Sequence, residues 1–268
     1  MILPALALLL VFYFYPLIKL IPLSLFEKGF TLKYFIRFFS DPLYYRTLLS
    51  TLKLCLLVTL CNLAMGYPVA YLLSIVKPRT ATILFIFVIV PFWMSILVRT
   101  YAWMVLLQRN GIINNLLIQI RLIDKPLRLI YTEFAISLGM IHILLPFMVL
   151  PIFSVLKGID PNFKYAAMTL GASSKKAFFT ITFPLSIPGV ASGILLVFVQ
   201  ALGFYVTPML LGGPQNLMIS GLIDRQMFRF LNWPFGATIS LVLLVITGLF
   251  MIGFDRLFGL ETINKRMF

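Results

Sequence analysis

The amino-acid sequence predicts an all-α integral membrane protein: one transmembrane domain, residues 1–268, built as a bundle of six membrane-spanning helices. Three observations carry the prediction. Hydrophobic residues make up 61% of the 268 and charged residues only 11%, with a mean hydropathy of +1.04. A soluble domain is usually about 45–50% apolar and about 25% charged. The apolar residues also gather into six runs, each near the roughly 20 residues that cross a bilayer. Finally, backbone groups in lipid have to pair within their own element, which leaves helices or closed barrels, and the alternating pattern of barrel strands does not occur. A soluble enzyme, a disordered chain, a collagen and a disulfide scaffold are excluded together.

The spans follow in order. The first, 2–25, is interrupted by Pro16, Lys19 and Pro22. Its apolar run is too long for the core of a cleaved signal and no A-x-A site follows, so it reads as a retained helix. The second covers 54–76, with its start drawn back toward Thr47. The third is 81–107, with Arg99 inside it; the fourth is 134–156, the fifth 187–211 and the sixth 237–254. Between the first two, residues 30–39 read as an interfacial helix with Phe30, Tyr34 and Phe38 on one face and Lys33 and Arg37 on another. Cys55 and Cys61 point to different faces of one helix and act as small apolar residues. Gly189 and Gly193 make a small-xxx-small pair suited to helix packing. Pro208, Gly212, Gly213 and Pro214 interrupt the outer end of the fifth span, where a gate or re-entrant turn fits.

Charge sets the environment but not the orientation. Twenty-two Lys and Arg against 8 Asp and Glu give +14. In a soluble protein that excess points to nucleic acid; in a chain this apolar it marks cationic loops against the anionic lipid of an inner membrane, and no nucleic-acid partner is expected. Six spans place both termini on one side, yet nine cations fall in one set of loops and ten in the other, so the positive-inside bias is a tie.

The longest polar loop, 157–186, opens with Asp160-Pro161, a good N-cap followed by Pro at the first helical position. It continues as Tyr165-Ala166-Ala167, three residues, Gly171, nine residues, Ile181, one residue, Phe183-Pro184. Two short helices joined at a Gly can lie across the membrane surface as an elbow. Ala166 and Ala167 add no bulk, Gly171 tolerates positive φ, and Ala172-Ser173 open the second helix with Ser173 or Ser174 as its cap. This pattern resembles the EAA loop of ABC importer permeases: E-A-A, three residues, G, nine residues, I, one residue, L-P. Two positions depart, with Tyr165 in place of Glu and Phe183 in place of Leu. A Glu there would favour the helix N-terminus by a few tenths to about 1 kcal/mol, which Tyr165 does not supply.

The resemblance extends over roughly residues 30–248. The segment 30–52, Pro91-Phe92-Trp93 with Arg99-Thr100-Tyr101-Ala102-Trp103, and Leu145-Pro146-Phe147-Met148 are similar to the spermidine/putrescine-type permeases. So are Gly203-Phe204-Tyr205-Val206-Thr207-Pro208, Gly212-Gly213-Pro214 and Trp233-Pro234-Phe235-Gly236. The resemblance implies a type I ABC importer permease fold. It implies that Tyr165, Ala166, Ala167, Gly171, Ala172, Ser173 and Pro184 dock on an ATPase, which makes the elbow and both termini cytoplasmic. It further implies a heterodimer with a second, related permease, two ATPase subunits and an extracytoplasmic substrate-binding protein. ATP and Mg would bind the ATPase, since no G-x-x-x-x-G-K-[ST] motif occurs here; this chain is a non-catalytic subunit without a cofactor of its own.

Candidates for the substrate path follow from depth and facing. Arg99 is an ionisable residue within an apolar helix, a functional candidate by default, although such a side chain also snorkels to the headgroups. Tyr101 and Trp103 lie beside it, where an interfacial aromatic belt is the other reading. Gln200, Phe204 and Tyr205 would share a face of the fifth span. His142, the one histidine, has no acid or second histidine in its span and reads as a packing residue, as does Asn62. Polyamines are the substrate that the resemblance implies, but span interiors hold no acid and the outer loops are cationic. A small organic anion such as an aminophosphonate, met by Arg99, is therefore the alternative. An intramembrane enzyme lacks a catalytic constellation, and a passive channel leaves the elbow unexplained.

Overall fold

The computed structural model describes residues 8, 10–26 and 29–258. A π-helical turn, Leu10–Phe14, leads into α1 (Tyr15–Leu25). Then come α2 (Lys33–Ser40), α3 (Pro42–Ile75), α4 (Pro78–Trp93), α5 (Ile96–Leu107), α6 (Ile112–Gln119) and α7 (Glu133–Gly158). The elbow holds α8 (Pro161–Thr169) and α9 (Ser174–Ala177), followed by a π-helical stretch, Phe178–Thr182, that runs into α10 (Phe183–Leu202). The chain ends its described part with α11 (Val206–Gly212), α12 (Ile219–Asp224), a π-helical turn at Arg225–Arg229, and α13 (Trp233–Phe258). Among the described residues there is no strand, only an isolated bridge between Phe26 and Phe30.

Among the described residues, four helices are each long and apolar enough to cross a membrane: Pro42–Ile75, Glu133–Gly158, Ser174–Leu202 and Trp233–Phe258. The third span departs from the continuous helix expected over 81–107. It is a broken pair, Pro78–Trp93 and Ile96–Gln119, bent by 98°. Pro91 is accommodated in the last turn of α4, and the break comes after it. Met94 and Ser95 then turn extended, with ψ of 143° and 136°. The fifth span also differs: its helix starts earlier, at Ser174, and stops at Leu202 rather than 211. The first span is described only as the shorter apolar helix Leu10–Leu25; the start of the expected 2–25 helix lies outside the described residues.

The chain divides into two compact units. One joins the described part of Met1–Leu52 to Leu217–Phe250. Its core is Tyr34, Phe38, Tyr44, Leu48, Ile219, Leu222, Phe235 and Ile239. Tyr44 meets Phe235 edge to face at 4.8 Å, and the Arg37 guanidinium lies 4.6 Å from the Phe235 ring centre. The backbone N–H of Ile219, one of the unpaired donors at a helix N-terminus, donates to Thr51 Oγ1 at 3.0 Å. Tyr34 and Phe38 thus face inward as the amphipathic pattern requires. Phe30 precedes α2 and is exposed, so it does not share their face.

The other unit, Lys53–Asn216 with the described part of Met251–Phe268, is organised on α7. Helix α10 packs against it through glycines: a Cβ at Gly189 would stand 2.9 Å from Pro151 O and 3.0 Å from Ile152 Cα. Gly193 of α10 and Gly66 of α3 both pack on Met148: a Cβ at the first would stand 2.7 Å from its sulfur and one at the second 2.8 Å from its Cγ. Small residues let helix backbones approach closely in lipid, and here they make room for one Met side chain. From α6, Asn114 ties down the next loop: Oδ1 accepts from Leu127 N–H at 2.9 Å and Nδ2 donates to Leu127 O at 3.0 Å.

Candidate functional site

The elbow is built from local rules. Asp160 caps α8 by accepting from Asn162 N–H at 2.9 Å. Gly171 has φ of +86°, its N–H donates to Met168 O at 3.0 Å, and Ala172 N–H donates to Ala167 O at 3.0 Å. These are the two bonds of a Schellman ending, which satisfies carbonyls of the last turn and requires a left-handed residue. Ser173 then caps α9, accepting from Lys176 N–H at 3.3 Å. Pro184 lies inside the helix that runs from Ser174 to Leu202, directly after its π-helical stretch Phe178–Thr182.

Several apolar side chains of the elbow are exposed. Phe163, Tyr165, Met168, Leu170 and Phe179 are exposed, Leu170 to 89% and Tyr165 to 63%. Lys175 and Lys176 are exposed as well, and Lys164 is half-buried. Ala166 and Ser173 are exposed, while Ala167 and Ala172 are half-buried. Tyr165, with Tyr71, Ile75, Leu156 and Asp160, lines an open cleft of about 300 Å³ beneath α8. Aromatic contacts anchor the elbow to the bundle: Phe178 meets Tyr71 at 5.0 Å, and Phe183 meets Tyr67 at 5.6 Å. Ser186 Oγ donates to Phe183 O at 2.7 Å, so the Tyr67 hydroxyl is the donor in its 3.0 Å bond to Ser186 Oγ. The sequence reading missed Tyr67 and Tyr71; two aromatics one helical turn apart at the end of a span were the available signal.

The path candidates divide. Arg99 is buried, with 6% exposed, and its Nε and Nη1 have no hydrogen-bond partner. That removes the snorkelling reading. Trp103, one turn further on, donates Nε1–H to His142 Nδ1 at 3.2 Å, with the rings edge to face at 5.8 Å. His142 is therefore a specific acceptor for Trp103. Tyr101 points away and is exposed. Gln200 is exposed on α10, but Phe204 and Tyr205 do not share its helical face. Helix α10 ends at Leu202; Gly203 has ψ of 0° and Phe204 N–H turns back to Ala201 O at 3.2 Å.

Sequence reasoning also overlooked Thr207. Thr100 Oγ1 donates to Ile96 O at 2.8 Å, so Thr207 is the donor in the 2.9 Å bond between the two hydroxyls. This buried pair pins α11 to α5. Each Thr→Val substitution is expected to destabilise the protein, and the double-mutant cycle to return a coupling of about 0.6–1.7 kcal/mol, the range for polar pairs between membrane helices. Strictly additive unfolding energies in detergent would show that the pair contributes nothing.

No family model matches the chain. It is 36% identical over 244 residues to the spermidine/putrescine transport system permease protein PotB of Escherichia coli (strain K12), covering 91% of this chain and 88% of that protein. It is 35% identical over 216 residues to the PotB protein of Haemophilus influenzae, covering 81% and 76%. Its fold is similar to a chain of a bacterial alginate ABC transporter solved in complex with an alginate pentasaccharide-bound periplasmic protein. The TM-score there is 0.84 at 20% identity, with 96% of this chain and 91% of that one covered. With that kinship, the glycine-turned elbow and the multi-pass helical architecture, the chain belongs to the spermidine/putrescine-type permeases of the ABC importers and is a membrane-spanning permease subunit.

Proposed function

We propose that the chain forms half of the translocation pathway of an ATP-driven importer of polyamines. It pairs with a second, related permease, receives cargo from an extracytoplasmic binding protein, and is driven by two ATPase subunits that hold ATP and Mg. The elbow 157–186 and both termini face the cytoplasm, with six spans between them. The observation that carries this reading is the elbow: exposed apolar and cationic side chains on a short, capped helix–turn–helix fit a docking element. The relatives named for spermidine and putrescine transport support the substrate class, and 26 Phe, 11 Tyr and 3 Trp provide faces for ammonium groups.

A small organic anion is the second reading, favoured by the buried Arg99 and by the absence of acids in the span interiors. Uptake of labelled putrescine by the reconstituted complex separates the two. Unlabelled spermidine is expected to abolish it and an aminophosphonate to leave it unchanged. Inhibition by the aminophosphonate alone would favour the anion. An ATPase that fails to co-purify with the permeases in mild detergent would remove the docking role of the elbow.

A further inference from the structure

An open groove of about 510 Å³ lies where the ends of three apolar helices meet. Leu73 comes from the end of α3, Val76 and Pro78 from the turn into α4, Phe85 from α4 itself, and Phe153 and Lys157 from the last two turns of α7. The volume falls within the roughly 300–1,000 Å³ of ordinary ligand sites. The walls are mostly apolar, with the Phe85 and Phe153 rings 5.5 Å apart. Among the described residues Lys157 is the one charged group in the lining, and no Asp or Glu lines it. Its Nζ stands 5.7 Å from the Phe153 ring centre while the residue is exposed. That is the disposition of a lysine whose stem covers apolar surface and whose ammonium stays at the water boundary. Lys77 and Arg79, on either side of Pro78, are exposed too. The Ser74 and Thr82 hydroxyls of the lining donate to Tyr71 O and Pro78 O, which leaves the cations as the donors for an incoming group. Along α4 the groove continues onto bare helix: Thr82, Ile86 and Val90 follow one another at one-turn intervals, and all three are exposed.

We propose that this groove is a binding site for an anionic phospholipid. Its phosphate meets the ammonium of Lys157, with Lys77 and Arg79 adding to the positive potential. An acyl chain lies along the Phe85 and Phe153 wall and the Thr82–Ile86–Val90 row. Charge complementarity selects the occupant. A cationic cargo is repelled by three cations that no lining acid offsets. A small soluble anion would satisfy the lysine and leave the apolar wall wet. An anionic lipid fills both parts, and basic pockets between membrane helices commonly hold such headgroups. The position also gives the lipid something to act on. Ser74 lines both this groove and the cleft beneath α8, and α7 turns into the elbow at Ile159 and Asp160, directly after its last turn. A seated lipid therefore braces the root of the elbow. The proposal needs only that these helices cross a bilayer, so it stands or falls separately from the cargo reading.

The test reads lipid on this chain directly. The full chain, with whatever subunits accompany it in mild detergent, is equilibrated with mixed micelles of phosphatidylglycerol and phosphatidylcholine, and retained lipid is measured by native mass spectrometry. Phosphatidylglycerol is expected to be retained in preference. Each Lys or Arg near anionic lipid contributes about fivefold in affinity, so the combined Lys77→Gln, Arg79→Gln and Lys157→Gln variant is expected to lose that preference by at least about tenfold. All three residues are exposed, so the fold is expected to survive, and melting in phosphatidylcholine alone checks it. Thr82→Trp, which fills the groove and keeps the cations, is expected to lower retention as well. Lys125→Gln with Arg128→Gln, in the loop at the opposite end of α7, is expected to change nothing. Equal retention of the two lipids by the native chain overturns the proposal, as does an equal loss in the Lys125 and Arg128 variant. Displacement of phosphatidylglycerol by inorganic phosphate would assign the site to a simple anion instead. Loss of the ATPase from the triple variant, with its lipid preference intact, would assign the groove to that protein.

Discussion

Gly171→Trp is expected to abolish uptake while the membrane bundle stays folded. The argument rests on two properties of the same residue. Its φ of +86° lies in the left-handed region, where an L side chain costs roughly 1–2 kcal/mol. A Cβ built there meets nothing within 4 Å, so an indole would project outward from the turn and displace no atom of this chain. The damage therefore falls on whatever seats against the elbow. Backbone strain is separated from bulk by Gly171→Asn, because Asn tolerates the left-handed conformation and is small; that variant is expected to keep most of the uptake. The decisive measurement is uptake and ATPase rate in one reconstituted preparation. Trp should eliminate the first and leave the second either unresponsive to cargo or lost with the ATPase itself. Native uptake by the Trp variant would falsify the docking role.

The largest stability effect is expected at the α7–α10 contact. At Gly189 an added Cβ would lie 2.9 Å from Pro151 O, 3.0 Å from Ile152 Cα and 3.0 Å from Val155 Cβ. Two of those atoms are backbone of a packed helix and do not yield, so the helices have to part. Overpacking of this kind typically costs 1–3 kcal/mol, and Gly189→Val should reach about 3 kcal/mol because its branched side chain adds two further methyls. Gly193 makes the contrast. There the nearest atom is the Met148 sulfur at 2.7 Å, the flexible end of an adaptable side chain, and Gly193→Ala should cost about 1 kcal/mol. Thermal melting in detergent checks the order. A Gly189→Val protein as stable as Gly193→Ala would mean that the interface yields more readily than its backbone contacts imply.

The elbow was legible in the sequence because its conformation is decided within a few residues. Asp160, Pro161, Gly171 and Ser173 each satisfy or relax a backbone group within three positions, so cap chemistry and glycine's left-handed freedom suffice. The membrane class was legible for a similar reason: an apolar run near 20 residues has one stable form in lipid whatever its neighbours do. Hydropathy is blind to backbone direction, however. The run 81–107 stays apolar straight through the 98° bend at Met94–Ser95, and the run 187–211 stays apolar through the end of α10 at Leu202.

By itself, then, the sequence determined that this chain lives in a membrane, is helical, and carries a glycine-turned elbow, because hydrophobic run length and local capping act over distances of one or two helical turns. Only the tertiary structure decided which polar groups meet. Thr100 with Thr207, Trp103 with His142 and Tyr67 with Ser186 are separated by 107, 39 and 119 residues, and no local pattern encodes such pairs. It also decided that Arg99 turns inward. Arg99 occupies the same helical position whether it reaches toward headgroups or is buried, and only the packing of the neighbouring helices selects between the two.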